Sequence, residues 1–330
     1  MRPVLLALRA LGIGDLATVV PSLRALRRAF PTHELVLAAP AALTPLVEAT
    51  GAVDRIFDTR AYVRGPIDRL DWPGPRPDIA VNLHGKGPQS HRALLATDPV
   101  RLIAYAQPEA GWPDGPQWSD DEHERDRWCR LLHENGIPAD PYDLALAAPP
   151  PVDGWSGAVV VHPGASGPER RWPVPRFADV ARRLAADGYR VLVTGSPGEA
   201  ADARELAEAA GLPPDAVLAG RTDLGSLAAL IAHARLLICG DTGVAHLASG
   251  YGTRSVVLFG PVSPALWGPP AVSGRHTVLW RGPQGLPDIG VDEVYAAAVA
   301  QLDADAPDAA GASGTAGAPD TVGAGRPPGR

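Results

Sequence analysis

The segment Gly240-Asp241-Thr242-Gly243-Val244-Ala245-His246-Leu247 follows the apolar run Leu236-Leu237-Ile238-Cys239 and leads into a short helical stretch. A strand that ends in a polar, flexible turn and opens a helix presents unpaired backbone N–H groups and the positive end of the helix dipole, which together favour an anion. Asp241 and Thr242 are suited to cap such a start, Gly243 lets a ligand approach the backbone, and His246 falls within the first turn. A phosphate-bearing ligand is the expected guest. Near the N-terminus Val4-Leu5-Leu6-Ala7-Leu8 runs into Gly12-Ile13-Gly14-Asp15 and a helix, a second turn of the same kind. Two such turns in one chain suggest two nucleotide-fold halves facing each other.

Asp15 stands at the end of the first strand, where open α/β sheets place their ligands. Its carboxylate is suited to accept a proton from an attacking hydroxyl or, more simply, to cap the helix that begins at Leu16. Gly12-x-Gly14 lacks the third glycine of a dinucleotide fingerprint. The loop His162-Pro163-Gly164-Ala165-Ser166-Gly167-Pro168-Glu169-Arg170-Arg171 leaves another strand with a hydroxyl and two cations. An arginine fork matches a diphosphate, although a solvated basic loop has the same composition. Glu199, after Gly195-Ser196-Pro197-Gly198, is placed either to bond ribose hydroxyls or to serve the first turn of its own helix. His84, in Asn82-Leu83-His84-Gly85-Lys86-Gly87, ends a strand of the first half and is open to a structural or a substrate role. The histidines and cysteines show no zinc spacing, and there is no Gly-x-Ser-x-Gly elbow.

The elements that must position these residues follow from pattern. Apolar runs of strand length alternate with helix-period segments, as in parallel strands covered by helices on both faces. Strands are expected at Val4–Leu8, Leu35–Ala38, Ile79–Leu83 and Leu102–Tyr105, then at Val159–His162, Val191–Thr194, Val217–Leu218, Leu236–Cys239 and Ser255–Phe259. Helices are expected along the stripe Leu16, Val19, Leu23, Leu26 and Phe30, with Pro21 marking a kink or a late start, over Asp121–Asn135, and over Phe177–Asp187, Glu199–Ala210, Leu224–Ala234, Val244–Ser249 and Val291–Leu302. The proline-rich stretch between Ala147 and Gly157 breaks all periodicity and sets the boundary. Residues 1–150 then form an N-terminal domain, 151–304 a C-terminal domain, and 305–330, dominated by Ala, Gly, Pro, Ser and Thr, a disordered tail.

With 330 residues and a formal charge of -7, the chain has the length of two domains and the wrong sign for a nucleic-acid carrier. Its two cysteines cannot build a disulfide framework. The first apolar run is too short for a signal-peptide core, so a cytoplasmic location is expected, in solution or at the inner face of the membrane. Arg24, Arg27 and Arg28 read either as a docking face for an anionic membrane or acceptor or as solvated surface.

Together these segments resemble glycosyltransferase family 9, the heptosyltransferases of bacterial surface glycolipids. The resemblance runs from Met1 to about Pro270 and rests on four blocks: Leu8–Asp15 with Pro21–Arg27, Val161–Ser166 with Arg170–Pro173, Asp241–Gly243 with His246–Ala248, and Leu258–Pro261. It implies a GT-B fold, two Rossmann-like domains facing across a cleft, with the acceptor held by the N-terminal domain and a nucleotide-diphosphate sugar, ADP-heptose foremost, by the C-terminal one. It further implies inverting transfer without a metal or other cofactor. On that reading Asp15 is the general base and Arg170, where many members carry Lys, steadies the leaving phosphate. Ser166, Thr242, Gly243 and His246 hold the diphosphate, Asp241 fixes the loop, and Glu199 meets the ribose. A monomer acting on a glycan, glycolipid or small-molecule acceptor is expected. A GT-B sugar-nucleotide epimerase and a non-catalytic nucleotide-sugar binder are the competing readings.

Overall fold

The computed structural model describes residues 2–59 and 67–304; the expected tail, 305–330, lies outside them. The first half runs β1 (Val4–Leu8), α1 (Ile13–Thr18), α2 (Val20–Ala29), β2 (Glu34–Ala39), α3 (Thr44–Thr50), β3 (Arg55–Asp58), β4 (Ile79–Asn82), α4 (Gln89–Leu95), β5 (Arg101–Ile103) and α5 (Glu124–Glu134). The second half continues with β6 (Val159–His162), α6 (Val174–Ala186), β7 (Val191–Val193), α7 (Ala200–Ala209), α8 (Leu224–Ala232) and β8 (Leu236–Gly240). It ends with α9 (Gly243–Tyr251), β9 (Ser255–Leu258), α10 (Pro264–Trp267), β10 (His276–Leu279) and α11 (Val291–Asp303).

Each half holds a 5-stranded parallel sheet, in the order β3-β2-β1-β4-β5 and β10-β9-β8-β6-β7. In both, the strand order reverses beside the first strand of the half, so β1 adjoins β4 and β6 adjoins β8. Those reversals open crevices at the carboxyl ends of the strands, the usual ligand position in doubly wound sheets. The strands are apolar throughout because both faces are covered: every residue of β1 and β8 is buried.

The stripe expected to form one helix from Leu16 forms two. α1 closes at Thr18, and Pro21, which has no N–H to give, occupies the first turn of α2, where none is needed. β3 and β10 are edge strands that the sequence pattern misses, and Val217 makes only a single bridge to Val193 in place of the expected strand. The proline-rich connector is anchored on both sides, with Ala147 N donating to Ala49 O and His233 Nε2 paired with Pro149 O at 2.8 Å. One apolar core runs between the halves, joining Leu16, Leu23 and Leu46 to Leu230, Val244 and Leu247.

The arginines of α2 are engaged within the first half. Arg24 and Arg28 pair with Asp143, and Arg27 pairs with Asp54. Each is paired locally, which favours the surface reading over a free cationic docking face.

Candidate active site

The two strand-to-helix turns meet. α1 and α9 point their N-terminal ends at one another, and both glycines permit the approach. A Cβ on Gly14 would lie 2.9 Å from His246 Cδ2 and 3.5 Å from Gly243 Cα, while one on Gly243 would lie 3.1 Å from Ile13 Cβ. The cleft that opens beside this contact has a volume of about 640 Å³. Its walls include the eight residues to which the family resemblance gives roles: Asp15, Ser166, Arg170, Glu199, Asp241, Thr242, Gly243 and His246.

On the N-terminal wall Asp15 is the third residue of α1, with its side chain 30% exposed. Its Oδ2 accepts the Gly12 N–H at 3.1 Å, and its Oδ1 faces Arg9 Nη2 at 3.3 Å. The capping role and a place in the cleft wall therefore coexist: Oδ2 holds the turn while the residue lines the open space. His84 is not among the cleft-lining residues. Its Nδ1 accepts the Ala10 N–H at 3.3 Å, and burial, followed by the charge of Arg9, pushes the ring down to about 4. A neutral ring that fixes the exit of β1 is the structural alternative.

On the C-terminal wall the loops after β6 and β8, neighbours at the strand-order reversal, place Arg170 against Asp241, Nη1 to Oδ2 at 3.2 Å. Asp241 is only 8% exposed at its side chain; burial pushes its carboxyl up and Arg170 opposes the shift. Its backbone N–H donates to Leu258 O, tying the loop to β9. Thr242 takes the N-cap position of α9 without a side-chain capping bond, so the first amides of the helix face the cleft with their intrahelical partners missing. Ser166 is exposed on the opposing loop. His246 packs edge-on against Trp267, with ring centroids 5.9 Å apart, and burial, against the pull of Asp15, lowers it to about 4. It is a neutral ring at the junction of the two walls.

Glu199 also has two roles. Its Oε2 accepts the Ser196 N–H at 2.7 Å, while the carboxylate lies so close to Gly164 that a Cβ there would come within 2.2 Å of Oε1. It thus links the loops after β6 and β7. Cleft residues missed from the sequence are His162, Ser196, Thr222, Asp223, Leu224, Leu227 and Trp267. Asp223 caps α8 by accepting the Ser226 N–H at 2.7 Å. The Thr-Asp pair before an apolar helix is the signal that could have found that turn. Trp267 carries no such signal, because a four-residue helix brings it to the cleft.

This arrangement can hold a polyanion against helix amides and a guanidinium while presenting a carboxylate across a narrow gap. Residues 140–293 match the family model of glycosyltransferase family 9 (heptosyltransferase). Lipopolysaccharide heptosyltransferase 3 of Escherichia coli is 35% identical over 126 residues, and lipopolysaccharide heptosyltransferase 2 of Escherichia coli strain K12 is 34% identical over 124; these matches cover 38% and 36% of this chain and 36% of each relative. The chain thus aligns with about a third of the length of these curated relatives. The solved structure of Escherichia coli ADP-heptose lipopolysaccharide heptosyltransferase II superposes with a TM-score of 0.73 at 22% identity, over 92% of this chain and 99% of that one. The likeness extends the GT-B arrangement of two parallel sheets across a cleft to the whole described chain.

Proposed function

We propose that this chain, which is heptosyltransferase-like and matches glycosyltransferase family 9 over residues 140–293, is an inverting glycosyltransferase that moves a sugar from a nucleotide diphosphate to an acceptor hydroxyl. The observation that carries the reading is the cleft itself. Asp15 lies on one wall, and the Arg170–Asp241 pair with the open start of α9 lies on the other, each at the strand-order reversal of its own sheet. ADP-heptose is the proposed donor, since a structural neighbour that covers 92% of this chain is an ADP-heptose heptosyltransferase by its own description. The acceptor is a hydroxyl of a glycan, glycolipid or small molecule.

In the proposed reaction Asp15 Oδ1 takes the proton of the acceptor hydroxyl as its oxygen forms a bond to the anomeric carbon. The bond from that carbon to the diphosphate oxygen breaks on the opposite face, and the diphosphate leaves with the electron pair. Arg170, the N–H groups at the start of α9, Thr242 and Ser166 stabilise the charge that develops there. His246 donates a hydrogen bond as a neutral ring, and Glu199 orients the ribose. No step calls on a metal or a cofactor. Residues 1–150 act as the acceptor domain and 151–304 as the donor domain, in a monomer working in the cytoplasm.

Asp15→Asn tests the assignment. Removal of a general base should reduce transfer by about 10²–10⁴-fold, with ADP affinity in calorimetry unchanged. Full turnover by the variant refutes the base role, and failure of ADP, UDP and GDP all to bind at millimolar concentration refutes the diphosphate site. A new sugar nucleotide formed from donor alone favours the epimerase reading instead.

A further inference from the structure

Behind Asp15 lies a buried charge network that the transfer reaction as described does not use. Arg9, immediately after β1, is 1% exposed. Its Nε donates to Asp15 O at 3.0 Å and its Nη1 to Leu83 O at 2.7 Å. Its Nη2 reaches three oxygens: Glu124 Oε1 at 2.8 Å, Asp15 Oδ1 at 3.3 Å and Thr18 Oγ1 at 3.4 Å. Glu124, the first residue of α5, is buried as well. The same Oε1 accepts Trp128 Nε1 at 2.8 Å, and Oε2 pairs with Arg127 Nη1.

One cation is therefore shared unequally by two carboxylates. The shorter bond goes to the buried Glu124 and the longer to the half-open Asp15, which lines the cleft. Burial alone would push Glu124 up, but Arg9, with Trp128 and Arg127, holds it below the usual range, so it stays anionic. A charge-assisted bond is shorter and stronger where the acceptor is fully ionised and dry. With Glu124 in place the guanidinium is largely satisfied away from the cleft, and its bond to Asp15 is the longer one.

We propose that Glu124 is a positioning residue for the transfer: it draws the Arg9 charge into the core, fixing the rotamer of Asp15 through Arg9 while leaving Oδ1 available to the acceptor hydroxyl. The proposal rests on Asp15 being the base. The titratable and charged groups that face this pair are Arg9 from the β1 exit, His84 from the β4 exit, His246 from α9, and Glu124 and Arg127 from α5, with His123 and Arg125 behind His246.

The test is the pH profile of kcat/KM for Glu124→Gln, with ADP affinity measured alongside. Without the buried anion, the Arg9 charge falls on Asp15. The acid limb should move to lower pH by about one unit, and turnover at neutral pH should drop about tenfold as the base weakens, while ADP affinity holds. Glu124→Asp, which keeps the charge, should return the limb toward its wild-type position. The same profile in the His246→Gln background separates that ring from the limb, and persistence of the shift there supports the proposal. An unmoved limb, or turnover and ADP affinity falling together with no shift, overturns it. If the glutamine variant does not fold, Arg127→Gln strips the competing cation from the same carboxylate and must move the limb to higher pH; no movement overturns the proposal equally. Asp15→Asn keeps the two readings apart, because full turnover there refutes the base assignment, whereas loss of turnover there with an unmoved limb in Glu124→Gln refutes only the role of Glu124.

Discussion

The contact between Gly14 and the α9 turn is tight enough that one methyl group should be felt in catalysis. A Cβ at position 14 would stand 2.9 Å from His246 Cδ2. Non-bonded carbons settle at about 3.5–4.0 Å, so the Gly14→Ala variant must open the gap by roughly 0.6–1 Å. The imidazole cannot simply turn aside, because Trp267 packs against its edge. Overpacking of this kind costs about 1–3 kcal/mol, and a displacement near 1 Å between reacting groups slows a reaction on the order of 10²-fold. The expected result is a lower melting temperature for the unliganded variant and a kcat reduced about 100-fold, with ADP affinity changed far less, since the C-terminal loops keep their own anchors. The double variant with His246→Ala removes the atom that clashes. The two stability penalties should then combine with a coupling of about 1 kcal/mol or more, where independent sites add to within about 0.3–0.5 kcal/mol. Strict additivity, or wild-type kcat in Gly14→Ala, refutes the claim that these two turns set the width of the cleft.

Arg170→Ala removes the cation from the diphosphate wall and leaves the buried Asp241 unpaired, so turnover should fall about 10²–10³-fold. Arg170→Lys, which keeps the charge, should stay within about tenfold, and equal loss in both variants refutes a charge-based role. Glu199→Gln should weaken ADP by about tenfold, the scale of one hydrogen bond to a charged group, but leave 2′,3′-dideoxy-ADP untouched; equal losses for both nucleotides, in calorimetry, remove the ribose assignment. His84, His246 and His276 are each pushed down to about 4, chiefly by burial. The unfolded chain protonates them near ~6.5 and therefore binds more protons between that pH and about 4, so stability should fall as the pH drops through this window and level off below it. His276→Gln should flatten the decline in urea midpoint between pH 7 and 4.5, and a profile parallel to wild type contradicts it.

The parts of the site that could be read from the sequence share one local cause. Asp15, Ser166, Glu199 and the Asp241–His246 stretch each follow an apolar strand that gives way to glycine and small polar residues before a helix, and chain order alone places such turns at the carboxyl ends of parallel strands. Pairings across the fold leave no such trace. Arg9 and Glu124 lie 115 residues apart, and nothing in the run Leu8-Arg9-Ala10 announces a buried guanidinium. β3, Arg-Ile-Phe-Asp, and β10, His-Thr-Val-Leu, are short and half-polar because each has only one neighbouring strand and its outer side is less covered. Val217 fails in the opposite direction. It is apolar and buried, but Pro213 and Pro214 feed it in by a 3₁₀ turn, so it meets Val193 at a single point.

The division of anchors between the halves has a consequence for how variants should sort. Asp241, Arg170 and Glu199 are fixed by bonds within the second half: to Leu258 and Arg170, to Asp241, and to Ser196. Asp15 is fixed within the first, by Gly12, Arg9 and, through Arg9, Glu124. On the proposed reading, the nucleotide pocket is preformed without the first half, and the base is aligned without the second. Substitutions in the loops after β6, β7 and β8 should therefore change nucleotide affinity, whereas those around Asp15 should change kcat alone. Gly14, Gly243 and His246, where the first turns of α1 and α9 touch, set the distance over which the proton and the diphosphate depart in opposite directions.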